Sequence, residues 1–191
     1  IYLLDRRGNL RWEYKTGDEV NSVSITPDGP YIVAGSSDWK VYLFEKNGSL
    51  LWEYKTGGKV DSVSITSDGS YIVASSRDSK IYLFNKRGNL LWKYKITGVI
   101  LIGNNSVSIT PDGSYIVAGG DLGHIYFFNK KGELLWHRII VSGGFGGFFS
   151  REFPREIVSI SMTPDGSYIV VGSGDTIFLL NRDGDLLWRY V

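Results

Sequence analysis

One phrase centred on a tryptophan returns five times along the 191 residues. Trp12, Trp52, Trp92, Trp136 and Trp188 lie 40, 40, 44 and 52 residues apart. Around them "IYLLDRRGNLRWEYKTG" at 1–17 recurs as "VYLFEKNGSLLWEYKTG" at 41–57, "IYLFNKRGNLLWKYKIT" at 81–97, "IYFFNKKGELLWHR" at 125–138 and "IFLLNRDGDLLWRY" at 177–190. A second phrase fills the intervals: "NSVSITPDGPYIVAGSSD" at 21–38, "DSVSITSDGSYIVASSRD" at 61–78, "NSVSITPDGSYIVAGGD" at 105–121 and "IVSISMTPDGSYIVVGSGD" at 157–175. Units of this length cannot bury an apolar face alone. They gain a continuous core only by stacking on their neighbours.

Each unit reads as four short strands. In the first complete one, 20–26 alternates Val23 and Ile25 with serines, 31–36 is an apolar run, 40–45 is aromatic and β-branched, and 50–55 alternates again. We call these strands A to D. The A–B connection is a Pro-Asp-Gly turn in most units, and the C–D connections "RRG", "KNG", "KRG", "KKG" and "RDG" put glycine where a tight hairpin needs positive φ. No segment shows a capped apolar period of 3.6 residues, so essentially no helix is expected. The fold class that follows is all-β, a β-propeller of four-stranded antiparallel blades. The chain holds about four and a half blades as one domain over 1–191: a half blade at 1–17, blades near 18–57, 58–98, 99–140 and 155–191, and a loop insertion at 139–156. The alternate serines of strand A read as small side chains lining a narrow channel. The D-strand tryptophans read as packing between blades, with each indole N–H needing a partner, and Trp12 is expected to be the least covered of them.

The stretch "GNLLWKYK" at 88–95 resembles the tryptophan-docking repeat of the pyrroloquinoline-quinone (PQQ)-like β-propellers, and "SVSITPDGPYIVAGSSDWKVYLF" at 22–44 resembles WD40-like propeller repeats. The resemblance covers nearly the whole chain. It implies a propeller, a ligand face formed by D–A and B–C loops, and a slight preference for an extracytoplasmic location. Because a half blade cannot close a ring, a fragment or a section of a larger propeller is expected, or a homo-oligomer that covers the open ends.

Chemistry is restricted by what the chain lacks. Cysteine is absent, which removes disulfides, thiolate nucleophiles and thiolate metal sites, including the vicinal cysteines common above the quinone in quinoprotein dehydrogenases. His124 and His137 are the only histidines, so most metal and triad chemistry is excluded, and His137 reads as a lone surface residue. A net charge of +1 draws the chain to neither nucleic acid nor anionic lipid. No run of about 18 apolar residues is present, so membrane insertion by a helix is not expected. No catalytic residue, cofactor or metal is expected.

Positions shared by every repeat are explained by folding, so candidate sites lie where the repeat breaks. Two D–A connections are enlarged, at 96–105 and more strongly at 139–156. The second gathers Phe145, Phe148, Phe149 and Phe153 among four glycines, with Arg151 and Arg155 close by. They read either as a contact surface or as a plug over the channel or a blade edge. In the B–C loops Trp39 is the one tryptophan outside strand D, either an aromatic anchor or blade packing. Asp38, Asp78, Asp121 and Asp175 recur there as expected turn caps, and "NRDGD" at 181–185 reads as a hairpin turn rather than a calcium loop. The candidate partner-binding residues are therefore Trp39, Phe145, Phe148, Phe149, Arg151 and Phe153. The leading expectation is a non-catalytic binding or scaffold propeller for a protein partner. The alternatives are a PQQ-dependent quinoprotein-like redox enzyme or degenerate relative, and a glycan-binding propeller. A glycan-active hydrolase would need convergent carboxylates, and the A strands offer only Asp61 with Asn21 nearby.

Overall fold

The computed structural model describes residues 1–96, 105–140 and 157–191. A two-stranded half blade comes first, β1 (Tyr2–Leu4) with β2 (Leu10–Glu13). Four antiparallel sheets follow, each in chain order. Blade I holds β3 (Val20–Ile25), β4 (Tyr31–Ser36), β5 (Lys40–Glu45) and β6 (Leu50–Lys55). Blade II holds β7 (Val60–Ile65), β8 (Tyr71–Ser76), β9 (Lys80–Asn85) and β10 (Leu90–Lys95). Blade III holds β11 (Ser106–Ile109), β12 (Tyr115–Gly119), β13 (His124–Asn129) and β14 (Leu134–Ile139). Blade IV holds β15 (Ile157–Met162), β16 (Tyr168–Ser173), β17 (Thr176–Asn181) and β18 (Leu186–Tyr190). Among the described residues the only helical piece is a 3-10 turn at Asp121–Gly123. This is the all-β, four-stranded propeller architecture that the repeats imply.

The core lies between sheets rather than within them. Between blades I and II, Val33, Leu43, Val63, Ile72 and Phe84 pack together, and equivalent clusters fill the junctions on either side. The middle strands β4, β5, β8 and β9 are covered on both faces, which is why their sequences run apolar without alternation.

The tryptophans close these junctions from outside. Trp12, Trp52, Trp92 and Trp136 donate their indole N–H to the carbonyls of Lys46, Lys86, Lys130 and Arg182, each in the C–D hairpin of the next blade, at 2.9, 2.9, 3.1 and 2.7 Å. A register shift in every C–D hairpin leaves the residue before the tryptophan as an extra one, turning the indole toward the neighbour. Tyr31, Tyr71 and Tyr115 use the same hairpins. The Lys86 and Lys130 ammonium groups sit 4.2 and 4.3 Å from the first two rings and the Arg182 guanidinium 5.0 Å from the third. Trp12, at the half blade, is thus docked like the others, contrary to the expectation from its position in the chain. Trp188 is the uncovered one, 48% exposed, because no described blade follows it.

The serines of strand A do more than fill space. Ser22, Ser62 and Ser106 accept the backbone N–H of Val63, Val107 and Ile160 on the next inner strand, at 3.1, 3.2 and 3.1 Å. Inner strands of adjacent blades make no ladder with each other, so these hydroxyls satisfy amides on the open inner edge of each sheet. Ser62→Ala is expected to cost about 1–3 kcal/mol, the penalty for an orphaned amide, and to speed hydrogen exchange at Val107 selectively. Unchanged exchange at Val107 would show that the hydroxyl is dispensable.

Candidate functional site

The B–C turns and the D–A connections share one end of the sheets. Lys40 opens β5 opposite Lys55 at the close of β6, and His124 opens β13 opposite Ile139 at the close of β14. The two kinds of loop also touch. The Trp39 carbonyl accepts the Thr56 N–H and hydroxyl, both at 2.8 Å. Asp38 accepts the Gly17 N–H from the preceding D–A connection at 2.8 Å.

Asp38 caps backbone amides as expected of a turn residue, whereas Asp78 is held by side chains. Asp38 accepts the Lys40 amide at 3.0 Å and the Tyr42 hydroxyl at 2.5 Å. Asp78 holds the Tyr82 hydroxyl at 2.5 Å and the Lys80 ammonium at 2.6 Å. Burial pushes both carboxyls upward, but hydrogen bonds from Tyr42 and Gly17 to Asp38, and from Lys80 and Tyr82 to Asp78, leave each below the usual carboxylate range. The tyrosines respond in the opposite sense: burial first, then the carboxylate, raises the Tyr42 and Tyr82 hydroxyls well above the ordinary phenol value. These pairs stay in one protonation state through neutral pH and offer no acid or base.

Asp61, the carboxylate closest to the channel in the sequence reading, is also engaged. It pairs with the Arg77 guanidinium at 2.8 Å and accepts the Asn105 side-chain amide at 3.1 Å. Asn21 donates to the Val60 carbonyl at 2.9 Å. "NRDGD" is a hairpin turn, with the Asn181 side-chain oxygen accepting the Asp183 and Asp185 amides at 3.0 and 2.8 Å. Asp5, Asn85 and Asn129 brace their hairpins in the same way.

Trp39 stands at the site end, the residue 45% exposed and the Lys55 ammonium 5.8 Å from the ring centroid. Its backbone is left-handed, φ 74°, as are Ser79 and Gly123 at the same turn position in blades II and III, whose carbonyls likewise accept the amide of the following D–A connection. The other candidates, Phe145, Phe148, Phe149, Arg151 and Phe153, lie outside the described residues.

Sequence reasoning missed one pair. His137 is not a lone surface residue, because its Nε2 lies 2.9 Å from Nδ1 of His124. The Tyr126 hydroxyl is 3.3 Å from the same Nδ1, and the Tyr126 and His137 rings lie 4.5 Å apart and nearly parallel. Burial, then the neighbouring His137, lowers the titration of His124. Burial, then Arg138, lowers that of His137. Position in the repeat could have revealed the pair, since His124 and His137 align with Lys40 and Glu53, which form an ion pair at 2.7 Å in blade I.

No helix among the described residues is long and apolar enough to cross a membrane. No curated protein matches the chain. The family model described as outer membrane protein assembly factor BamB matches residues 1–165. That span takes in the half blade, the first three blades and the start of the fourth, and with the tryptophan docking it shows that the chain belongs to this PQQ-like β-propeller repeat family.

Proposed function

We propose that the chain is a non-catalytic binding propeller that recognises a protein partner at the end of the sheets formed by its B–C turns and D–A connections. The observation that carries this reading is Trp39. A left-handed conformation costs a residue with a Cβ roughly 1–2 kcal/mol, and Ser79 makes the same turn in blade II. The fold therefore gains nothing from an indole there, and a large, exposed, strained aromatic beside a lysine has the make-up of an interface anchor. The fold supplies the platform, and the matched family is named for an assembly factor, a role exercised on other proteins. Phe145, Phe148, Phe149, Arg151 and Phe153 would extend the surface from the D–A connection that leaves blade III at this same end. Asp38 and Asp78 are committed to tyrosine hydroxyls within their own blades, which favours recognition over catalysis.

Two variants test this reading. Trp39→Gly is expected to raise stability by about 1 kcal/mol by relieving the left-handed turn. A second form replaces 143–153 by the Thr-Gly-Gly-Lys connection of 56–59 and should keep its unfolding midpoint, because surface loop length contributes little closure free energy. Cross-linked capture from the native source should lose the same proteins with both. An unchanged set of captured proteins sinks the proposal, and loss of oligosaccharide rather than protein binding would move the reading to a glycan site.

A further inference from the structure

We propose that His124 and His137 form a two-nitrogen chelate for a first-row divalent metal ion, copper(II) or nickel(II), on the outer half of blade III. The chain's only two histidines occupy facing positions on β13 and β14, diagonal across one hairpin, with Nδ1 and Nε2 2.9 Å apart. At the same two positions blade I carries Lys40 and Glu53, while blade II has Lys80 and Lys93 and blade IV has Thr176 and Arg189. The hairpin therefore needs no histidine at either place, yet blade III has one at both.

At 2.9 Å the two nitrogens share a hydrogen bond, one ring donating to the other, and a metal ion would displace that proton. With metal–nitrogen bonds of about 2.0–2.1 Å, two imidazoles at right angles stand roughly 2.9 Å apart, whereas a tetrahedral ion spreads them to roughly 3.3 Å. A tetragonal ion, copper(II) or nickel(II), therefore asks for the smaller change of separation. His137 is exposed, so an ion can enter from solvent, and binding requires the ring planes, now 24° apart, to turn until both lone pairs meet at the ion. The Arg138 guanidinium is held by the His137 and Asp183 carbonyls at 3.3 and 3.4 Å. The Tyr126 hydroxyl lies 3.3 Å from Nδ1 of His124, within reach of an ion held there. Among the described residues no cluster of three or more His, Cys, Asp or Glu side chains forms a metal site. The remaining positions on the ion would thus be filled by water or by a group from a partner. The sequence alone led us to expect no metal, because it did not show that the two histidines meet.

The test is titration of the 191-residue chain, His124→Gln, His137→Gln and the double variant with copper, nickel and zinc chlorides. Copper should bind at one equivalent with an electron paramagnetic resonance spectrum showing two imidazole nitrogens. Each single variant should lose about tenfold or more in affinity, because the second imidazole acts as an intramolecular ligand. The double variant should lose the one-equivalent binding together with the two-nitrogen spectrum. Nickel should bind at least as tightly as zinc. A copper affinity unchanged in both single variants, or a one-nitrogen spectrum, overturns the site, and a tenfold preference for zinc overturns the right-angle geometry. Should the variants unfold, paramagnetic broadening in the parent chain decides: loss of both imidazole resonances at substoichiometric copper supports the chelate, and sharp resonances refute it.

Discussion

Trp92→Ala is expected to lower the unfolding free energy by about 3 kcal/mol, while Trp188→Ala should cost less than about 1 kcal/mol. The Trp92 indole donates to the Lys130 carbonyl at 3.1 Å and lies 5.7 Å, centroid to centroid, from Phe128 of the next sheet. Alanine would leave a hole between two rigid sheets that cannot move together, together with an unpaired carbonyl. Large aromatic truncations cost about 3–5 kcal/mol, and the lower end applies because this ring is only half-buried. Trp188 has the same residue type, strand position and repeat phase but no described docking partner, so it isolates what the neighbouring blade contributes. Trp12→Ala should resemble Trp92, since it donates to Lys46 and contacts Phe44 in the same way. Denaturant unfolding of the three variants checks the order, and equal losses at 92 and 188 would show that the docking contact contributes little.

Gly88→Ala should be nearly as damaging, at about 2–5 kcal/mol, and Gly8→Ala clearly milder, at about 1–2 kcal/mol. Both glycines have φ of 82° in equivalent C–D hairpins, so both variants carry the left-handed penalty of roughly 1–2 kcal/mol. They differ in what a new Cβ would meet. At Gly88 it would come within 2.8 Å of the Trp52 ring, whereas at Gly8 nothing lies within 4 Å. The ring cannot withdraw without giving up its bond to the Lys86 carbonyl, so overpacking of about 1–3 kcal/mol adds to the strain. Gly48, Gly132 and Gly184 repeat the arrangement with Trp12, Trp92 and Trp136. Paired melts of the two alanine variants separate turn strain from docking, and equal losses would remove the close approach from the account of these glycines.

The repeat was sufficient for the architecture. A phrase recurring near every 40 residues, with alternation in its outer strands and glycine in its turns, leaves few solutions other than stacked antiparallel blades, and the observed strands follow it. The turn aspartates were legible for the same reason. Asp38 bonds the amide two residues on and the tyrosine four residues on, and Asp78 the side chains at those same two positions, all within reach of local sequence.

What the sequence did not show crosses from one repeat to the next. That Ser62 holds the amide of Val107, and that Gly88 must be bare because Trp52 lies on it, are contacts between residues 45 and 36 positions apart. Chain position misled at the ends: Trp12 looked exposed because it belongs to half a blade, yet docking runs forward along the chain, so the first tryptophan is covered and Trp188 is not. His124 and His137 looked solitary because their 13-residue separation says nothing until the hairpin register brings their ring nitrogens to 2.9 Å. Periodicity determines which faces are apolar and how the chain folds back on itself. Only the packing of blade on blade and the pairing register of each hairpin decide which side chains meet, because those contacts depend on distances that no local pattern encodes.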